Sequence, residues 1–255
     1  MNDDCMRDTD DHRVNHDPER FSTEGYCLFT EVFDDTEIDA NRRLLDDAIE
    51  SGLLQRPNYL LEPHTLDDRW LNLCKSPGVI DSVETVLGPN LILVYSSVFI
   101  KSPHSSDRVA WHQDNNYWPS VHGNDVVTVW LAIDDADAAN SAMQVIPQSH
   151  VGFKEYATVA AESAKDMLPK KVVVTNEMEK SAVTLAMPAG ALSIHDSFLL
   201  HGSGANTTER RRAGYTIRFC STDSTWVDVE EHPIPVYLVH GDSGERGRQY
   251  IDVRA

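Results

Sequence analysis

The chain has 255 residues, 41% of them hydrophobic, and its 41 acidic and 22 basic residues give a formal net charge of -19. This length suits one large domain, and no apolar run approaches the ~18 to 20 residues that cross a bilayer. Because so acidic a chain repels phosphate backbones and anionic lipids, we expect neither nucleic acid nor a membrane as a partner.

Residues 1–20 are rich in Asp, Arg and His and poor in apolar side chains. Such a segment buries too little surface to offset the entropy lost on ordering, so we predict a flexible acidic tail over 1–20 and a single domain over 21–255. The chain starts without a basic region followed by an apolar one, and we therefore expect a cytoplasmic protein. The cysteines lack C-x-x-C spacing and are predicted to be ordinary thiols rather than zinc ligands or disulfides.

Apolar periodicity predicts the first elements of the domain. The pattern indicates a short strand over 25–29, a helix over 34–51 with apolar residues along one side, and a second helix over 78–87. The stretch 56–70 between these helices has a mixed composition, and we predict a loop there.

After Pro89, short β-rich runs separated by turns replace the helical period. We predict strands over 91–101, 109–114, 126–133, 142–146, 171–174, 183–187, 191–194, 197–202 and 213–220. Many short strands at this spacing predict a mainly β fold with flanking helices, either a double-sheet jelly roll or a barrel. The stretch 155–170 lacks strong β character and is predicted to be a mobile connection near the mouth or a surface helix.

The triplet His112-Gln113-Asp114 closes one of the predicted strands. In an extended strand, side chains two apart point to the same face, so His112 and Asp114 can converge on one ion while Gln113 turns away. An imidazole and a carboxylate are two parts of the facial triad that binds non-haem Fe(II) with open positions. Short motifs of this kind also arise by chance, so the interpretation depends on a third ligand elsewhere.

His201 is the candidate for that third ligand. It ends the predicted apolar strand 197–202 and is followed by glycines, which let a ligand and the backbone approach closely; a half-exposed histidine at a strand end is the alternative. Arg212 precedes the next predicted strand, and its guanidinium could grip a carboxylate with two hydrogen bonds. The alternative for Arg212 is a solvated basic turn formed by residues 210–212.

The other histidines are expected to play no part in such a site. His195 and Asp196 are adjacent, and adjacent residues of a strand face opposite ways, so this pair cannot chelate as His112 and Asp114 do. The remaining histidines in predicted loops are expected at the surface: His104, His122, His150, His232 and His240.

Several motifs occur together in a characteristic order across roughly residues 20 to 220. They are KSP at 101–103, WHQD at 111–114, VWLAIDD at 129–135, VIPQSH at 145–150 and HGSG at 201–204, followed by Asn206 and Arg212. Their combined order and spacing resembles the phytanoyl-CoA dioxygenase family of Fe(II)- and 2-oxoglutarate-dependent oxygenases.

The resemblance implies a double-stranded β-helix, that is, a cupin-like jelly roll, with Fe(II) as cofactor and 2-oxoglutarate and dioxygen as co-substrates. It implies that the iron ligands are His112, Asp114 and His201. It further implies that Arg212 pairs with the distal carboxylate of 2-oxoglutarate, that Ser203 helps to hold this carboxylate, and that Lys101 is a basic residue near the co-substrate.

The chain departs from the family pattern at two turns. Ser141 and Gln148 stand where the family often has glycine, which leaves the geometry of these turns open but not the metal site. Halogenating relatives have a small residue at the position of the carboxylate ligand. Asp114 therefore favours hydroxylation of an aliphatic C–H bond over halogenation.

The identity of the substrate is less constrained. Residues after the metal-binding strand and in the loop 56–69 are candidates for a pocket that takes a small, polar or anionic metabolite, although they could equally pack on themselves; they are Asn116, Tyr117, Trp118, Arg56 and His64. Desaturation or ring formation could replace hydroxylation at the same iron. A non-catalytic β-barrel that binds a metal or metabolite, and a zinc-dependent hydrolase, are the alternatives from other classes. The oligomeric state is not indicated.

Overall fold

The computed structural model describes residues 18–117, 121–122, 126–161, 163–226, 235–244 and 250–254. Its helices are α1 Pro18–Glu24, α2 Asp35–Glu50, α3 Pro63–Leu66, α4 Asp68–Cys74, α5 Pro77–Leu87 and α6 Asn176–Lys180. Its strands are β1 Tyr26–Phe29, β2 Tyr59–Leu61, β3 Leu91–Lys101, β4 Val109–His112, β5 Val121–His122, β6 Val126–Ala132, β7 Gln144–Val145, β8 Thr158–Ala160, β9 Lys170–Val172, β10 Val183–Thr184, β11 Leu192–Asp196, β12 His201–Ser203, β13 Arg212–Ser221, β14 Thr225–Trp226, β15 Tyr237–His240 and β16 Ile251–Asp252.

Two sheets form the body of the fold. Within the described ranges, the larger sheet has eight strands in the order β1-β11-β6-β13-β3-β15-β16, with β2 paired to β3 as well. The smaller sheet has four strands in the order β10-β7-β12-β4. This pairing of sequentially distant strands confirms the predicted jelly roll, and helices cover the outer face of the larger sheet as expected.

Helix α2 shows how the sequence sets this outer layer. Asp34 caps the helix by accepting a hydrogen bond from the backbone of Glu37, whose side chain in turn accepts one from the backbone of Asp34. On the inner side, Leu45 and Ala48 are buried against the larger sheet. Full burial of a leucine contributes about 1.5–3 kcal/mol, so this apolar stripe fixes α2 on the sheet.

Alternation along β13 separates the helix-covered core from the interior between the sheets. Tyr215, Ile217 and Phe219 belong to the core beneath the helices. Arg212 and Arg218 face the opposite way and line a cavity between the two sheets. The even-numbered positions of β13 therefore supply the polar side chains of the interior.

The elements with strong periodicity lie where the sequence places them: β1, α2, α5 and β3 confirm the predictions. The prediction of a loop over 56–70 was wrong, because β2 pairs with β3 there and α3 follows. The stretch 155–170 is neither a mobile connection nor a surface helix in its described residues, since β8 pairs with β9.

The predicted strand 197–202 was also wrong over its first half. Residues 197–200 turn, because Asp196 accepts hydrogen bonds from the backbone amides of Phe198, at 2.7 Å through its side chain, and of Leu199, at 3.0 Å through its carbonyl oxygen. His201 therefore begins a strand rather than ending one.

The structure also bears on the predicted tail and on the predicted thiols. Residues 1–17 of the predicted tail lie outside the described residues, and α1 begins at Pro18, inside the predicted tail. Cys27, Cys74 and Cys220 are buried and form no disulfide within the described part of the chain. In that same part, no helix combines the length and the apolar character that a bilayer crossing requires.

Candidate metal centre

Two histidines and one aspartate converge in the cavity between the sheets. Strands β4 and β12 are antiparallel neighbours, and their pairing sets His112 directly opposite His201. The Nε2 atoms of these histidines lie 3.6 Å and 3.7 Å from Oδ1 of Asp114. Their candidate ligand atoms all lie within 4.8 Å of one another, and all three residues are buried. Gly202 allows the close approach of the strands, since a Cβ there would lie 2.9 Å from the carbonyl oxygen of Val109.

Backbone carbonyls orient both imidazoles in the same way. Nδ1 of His112 donates to the carbonyl oxygen of Ala110 at 2.9 Å, and Nδ1 of His201 donates to that of Leu199 at 2.9 Å. With the proton on Nδ1, each ring presents the lone pair of Nε2 to the centre. Burial holds the pKa of His201 well below its ordinary value, which keeps this ring neutral as a metal ligand must be.

Asp114 reaches the centre by a different backbone path from the one predicted. Strand β4 ends at His112, and Asp114 begins a short 3-10 helix, Asp114–Tyr117. Burial is the largest single influence and by itself raises the pKa of Asp114, but Arg218 and the neighbouring histidines His201, His112 and His195 together outweigh it and hold that pKa well below its ordinary value. The carboxylate is therefore ionised and ready to bind a cation.

Gln113 turns away from the centre, as predicted. It is fully buried, and its side-chain amide donates to the carbonyl oxygens of Lys154 at 2.8 Å and Phe198 at 2.5 Å. Its Oε1 accepts a hydrogen bond from the backbone amide of Tyr156 at 2.9 Å. Gln113 thus ties two loops to the metal-site segment and takes no part in the centre itself.

Two buried basic side chains meet at Ser203, which lines the same cavity. Lys101 and Arg212 are paired directly across β3 and β13, and both donate to Oγ of Ser203, at 2.7 Å and 3.1 Å. Arg212 also donates through Nε and Nη2 to the carbonyl oxygen of Ser141, at 2.9 Å and 2.7 Å. Burial lowers the pKa of Lys101 to about 6 and that of Arg212 to about 10. Among the described residues, no carboxylate forms an ion pair with Lys101 or Arg212. This arrangement therefore fits an anionic ligand.

Two turns adopt a left-handed backbone without glycine, and one of them supports Lys101 and Arg212. Ser141 has a φ of 74° and Gln148 a φ of 64°, so both keep the left-handed conformation that glycine adopts most easily. Such a conformation costs of the order of 1–3 kcal/mol in a residue with a side chain. At Ser141 it turns the carbonyl oxygen toward Arg212, and the hydroxyl of Ser141 accepts from Lys101 at 2.8 Å.

Trp130 closes the wall beside Arg212, and the two residues line the cavity together with the metal-binding residues. The guanidinium carbon of Arg212 lies 5.4 Å from the centroid of the indole, a cation-π distance. Gly214 makes room for this ring, since a Cβ there would lie 2.1 Å from Cζ2 of Trp130.

We expect Gly214→Ala to lower the free energy of unfolding by about 1–3 kcal/mol, because the added methyl group overpacks the wall and displaces Trp130. Gly204→Ala is the matched control, since no atom lies within 4 Å of a Cβ at that position. Chemical denaturation followed by tryptophan fluorescence measures both. Equal stability of the two variants would contradict the tight packing at Gly214.

The predicted substrate residues divide into separate groups. Tyr117 lies edge-on to His112, with ring centroids 5.9 Å apart, and its hydroxyl donates to the carbonyl oxygen of Lys170 at 3.1 Å. Asn116 is half-buried nearby, and its Nδ2 has no hydrogen-bond partner among the described residues. Trp118 lies outside the described residues.

The other two substrate candidates require correction. Arg56 is exposed, and its backbone forms an antiparallel bridge with Tyr59. Its side chain does not line the cavity. His64 is buried on the helix-covered side, where its Nδ1 lies 2.6 Å from Oγ of Ser96, and burial lowers its pKa to about 4. Neither residue reaches the metal centre.

Four polar residues that line the cavity were not predicted from the sequence: Thr128, His195, Thr216 and Arg218. No role was predicted for His195, because it is adjacent to Asp196 on a strand and the two side chains cannot bind one metal ion together. Its ring centroid nevertheless lies 4.3 Å from that of His201. Alternation would have identified Arg218, since it lies an even number of residues after Arg212 on one strand.

The histidines predicted at the surface are not all there. His150 is buried, which contradicts the prediction, whereas the side chains of His104 and His240 are 57% and 44% exposed. The side chains of His122 and His232 lie outside the described residues.

The geometry agrees with comparisons to known proteins. The family model "Phytanoyl-CoA dioxygenase (PhyH)" matches residues 21–214. Peroxisomal phytanoyl-CoA dioxygenase of Homo sapiens is 27% identical over 168 residues, which cover 64% of this chain and 49% of that protein. A probable alpha-ketoglutarate-dependent hypophosphite dioxygenase of Stutzerimonas stutzeri is 30% identical over 166 residues, covering 64% of this chain and 56% of that protein. The chain thus spans about half the length of these curated relatives.

A solved structure supports the fold. The epimerase SnoN, in complex with Fe3+, alpha ketoglutarate and nogalamycin RO, superposes with a TM-score of 0.70 at 20% identity, covering 83% of this chain and 84% of that chain. At this level of identity the likeness establishes the shared cupin-like jelly roll.

Proposed function

The chain belongs to the phytanoyl-CoA dioxygenase family, and on that premise we propose that it is an Fe(II)- and 2-oxoglutarate-dependent dioxygenase, formed by one domain over 21–255, that hydroxylates an aliphatic C–H bond of a small, polar metabolite. One observation carries the proposal. The same cavity holds a buried triad of two histidines and one aspartate together with the buried Arg212 and Ser203, and Lys101 donates to Ser203 from behind, a set of donors suited to a dicarboxylate. A metal-binding site alone would not require the second feature.

Each element of the cavity has a role in this proposal. His112, Asp114 and His201 would hold Fe(II) from one side and leave the remaining positions open. When bound, the iron supplies the oxidation of 2-oxoglutarate and of the substrate C–H bond by dioxygen. Arg212 would bind the distal carboxylate of 2-oxoglutarate with charge-assisted hydrogen bonds, and Ser203 would donate to the same group.

Lys101 and Trp130 would complete the co-substrate site. Nζ of Lys101 donates to Ser203, and a bound carboxylate would favour its protonated form, which adds a second positive charge at this end of the site. The indole of Trp130 covers the guanidinium of Arg212 and keeps water from that end of the cavity. Exclusion of water strengthens both charge interactions.

Two comparisons bear on substrate and outcome. The Stutzerimonas stutzeri relative is named as a probable hypophosphite dioxygenase, and hypophosphite is a small anion, which agrees with a small polar substrate. The structural neighbour SnoN is an epimerase, so an oxidative outcome other than hydroxylation is the second candidate for this iron site. Desaturation and ring formation belong to the same alternative.

Succinate release tests the proposal. The Fe(II)-loaded protein, supplied with 2-oxoglutarate and dioxygen, should form succinate when the right member of a panel of small metabolites is present, and mass spectrometry should find that metabolite with one added oxygen. A product two hydrogens lighter, or an epimer, would favour the second candidate. An iron-loaded protein that never decarboxylates 2-oxoglutarate would support a non-catalytic binding barrel instead.

We expect 2-oxoglutarate binding near pH 7.5 to take up protons. Burial lowers the pKa of Lys101 to about 6, so the free protein carries this amine largely neutral at that pH. A carboxylate bound beside it favours the charged form and raises the pKa, and the site gains a proton. Calorimetry with metal-loaded protein in two buffers of different ionisation enthalpy measures this uptake. Lys101→Met should abolish it, and an unchanged proton uptake in this variant would contradict the assignment.

A further inference from the structure

Three side chains form a single row across the larger sheet. Thr128 on β6 is paired directly with His195 on β11 on one side and with Arg218 on β13 on the other. Side chains of directly paired residues project from the same face of a sheet. All three therefore enter the cavity side by side, and all three line it.

The row meets one oxygen of Asp114 and not the other. The hydroxyl of Thr128 donates a hydrogen bond to Oδ2 of Asp114. Nε2 of His195 lies 3.5 Å and Nε of Arg218 lies 3.9 Å from this same Oδ2. Oδ1 instead faces the Nε2 atoms of the two histidines of the triad.

Buried contacts fix the members of the row. Arg218 donates through Nη1 to Oγ of Ser97 at 2.9 Å and also to the hydroxyl of Thr216. Its guanidinium carbon lies 5.6 Å from the ring centroid of Tyr95. His195 is 1% exposed and lies between Asp114 and the ring of His201. The register of three strands therefore places a hydrogen-bonded hydroxyl and two nearby nitrogens beside Oδ2.

We propose that Thr128, His195 and Arg218 act as a carboxylate clamp, which holds Oδ2 away from the metal so that Asp114 binds it through Oδ1 alone. The inference rests on the proposed function in that the triad binds a metal. Its consequence is geometric. A carboxylate bound through both oxygens would occupy one more position on the metal, and that position is among those the co-substrate and dioxygen require. The three are positioning residues, since they act through Asp114.

Thr128 offers a sharp test because its hydroxyl can be removed or kept. Thr128→Val deletes the donor at nearly constant volume, whereas Thr128→Ser keeps it. Thr184→Val is the matched control, since Thr184 lies on β10 in the other sheet and its hydroxyl accepts a 3.3 Å hydrogen bond from Gln144. Titration with Co(II), followed by visible absorption, measures metal affinity. Water-proton relaxation of the Mn(II)-loaded protein reports how many waters the metal carries.

We expect Thr128→Val to weaken Co(II) binding by about 10- to 100-fold, as loss of groups that orient metal ligands does. It should also lower the water-proton relaxation, because a released Oδ2 displaces metal-bound water. Thr128→Ser and Thr184→Val should match the wild type in both measurements. A purely structural role for Thr128 would lower the melting temperature without changing the relaxation of the metal-loaded protein.

Two results would overturn the clamp. Thr128→Val and Thr128→Ser could behave alike, or Thr128→Val could bind metal as the wild type does with the same relaxation. Either result would remove the clamp and leave the proposed function intact. A wild-type protein that binds neither Co(II) nor Mn(II) would count against the proposed function itself, and the clamp would fall with it.

Discussion

His201→Ala is expected to lower the affinity for Fe(II) by more than about 100-fold and to abolish succinate formation. The substitution removes a metal ligand, so its effect should exceed the roughly 10- to 100-fold cost of losing a group that only orients a ligand. The vacancy would arise beside His112, directly across the strand pair, and Asp114 and His112 would be left as the only members of the triad. Equilibrium dialysis against Fe(II) under anaerobic conditions measures the loss.

His240→Ala is the control for this substitution. His240 is 44% exposed and pairs with Glu84 on the surface, so its removal should leave both metal affinity and succinate formation unchanged. If His201→Ala bound one Fe(II) with wild-type affinity, His201 could not be a ligand, and the triad would have to be assigned to other residues.

Arg212→Met should raise the dissociation constant for 2-oxoglutarate without changing that for Fe(II). Truncating one partner of a buried, hydrogen-bonded charge pair costs about 2–5 kcal/mol. This corresponds to a roughly 30- to 5,000-fold weaker binding of the co-substrate. Arg212→Lys should recover only part of the affinity, because an ammonium group lacks the several planar donors of a guanidinium and could not hold the carbonyl oxygen of Ser141, as Nε and Nη2 of Arg212 do, while also binding the carboxylate.

Arg210→Met provides the matched control. Arg210 stands two positions earlier, and its side chain is 48% exposed in an ion pair with Asp137. Surface pairs of this kind contribute little, so the variant should bind 2-oxoglutarate as the wild type does. If both arginine variants weakened binding equally, a long-range charge effect would explain the result better than a contact with Arg212.

The extent of agreement between sequence and structure differs from one element to the next. Helix α2 and strand β3 were predictable because their apolar pattern and end signals are local. The ligand pair His112 and Asp114 was found from an argument about strand alternation, although the strand ends at His112. The residue spacing was informative, while the backbone path that joins the two residues depends on a turn that alternation does not describe.

Of the clamp residues, Arg218 could be found by alternation from Arg212 on the same strand, but the meeting of all three could not be found from local sequence. Thr128, His195 and Arg218 meet only because three strands far apart in the chain are paired in one register. A shift of one residue in either pairing would turn these side chains to the other face. Single-sequence reasoning contains no information about that register, and His195 was therefore judged only by its neighbour in the chain.

The two turns that lack the family's glycine show how the surroundings of a residue set its backbone conformation. Sequence alone left their geometry open, yet Ser141 and Gln148 both retain a left-handed backbone. At Ser141 the carbonyl oxygen receives two hydrogen bonds from Arg212, which helps to hold the strained conformation. The surroundings of a residue, rather than its intrinsic preference, decide its conformation there.

Anaerobic absorption spectroscopy tests the central claim most directly. The protein loaded with Fe(II) and titrated with 2-oxoglutarate should develop the visible charge-transfer band of a 2-oxoacid chelated to Fe(II), saturating at one equivalent. Arg212→Met should require far more 2-oxoglutarate to reach the same band, and His201→Ala should show none. A wild-type protein that binds Fe(II) yet shows no band at saturating 2-oxoglutarate would contradict the account.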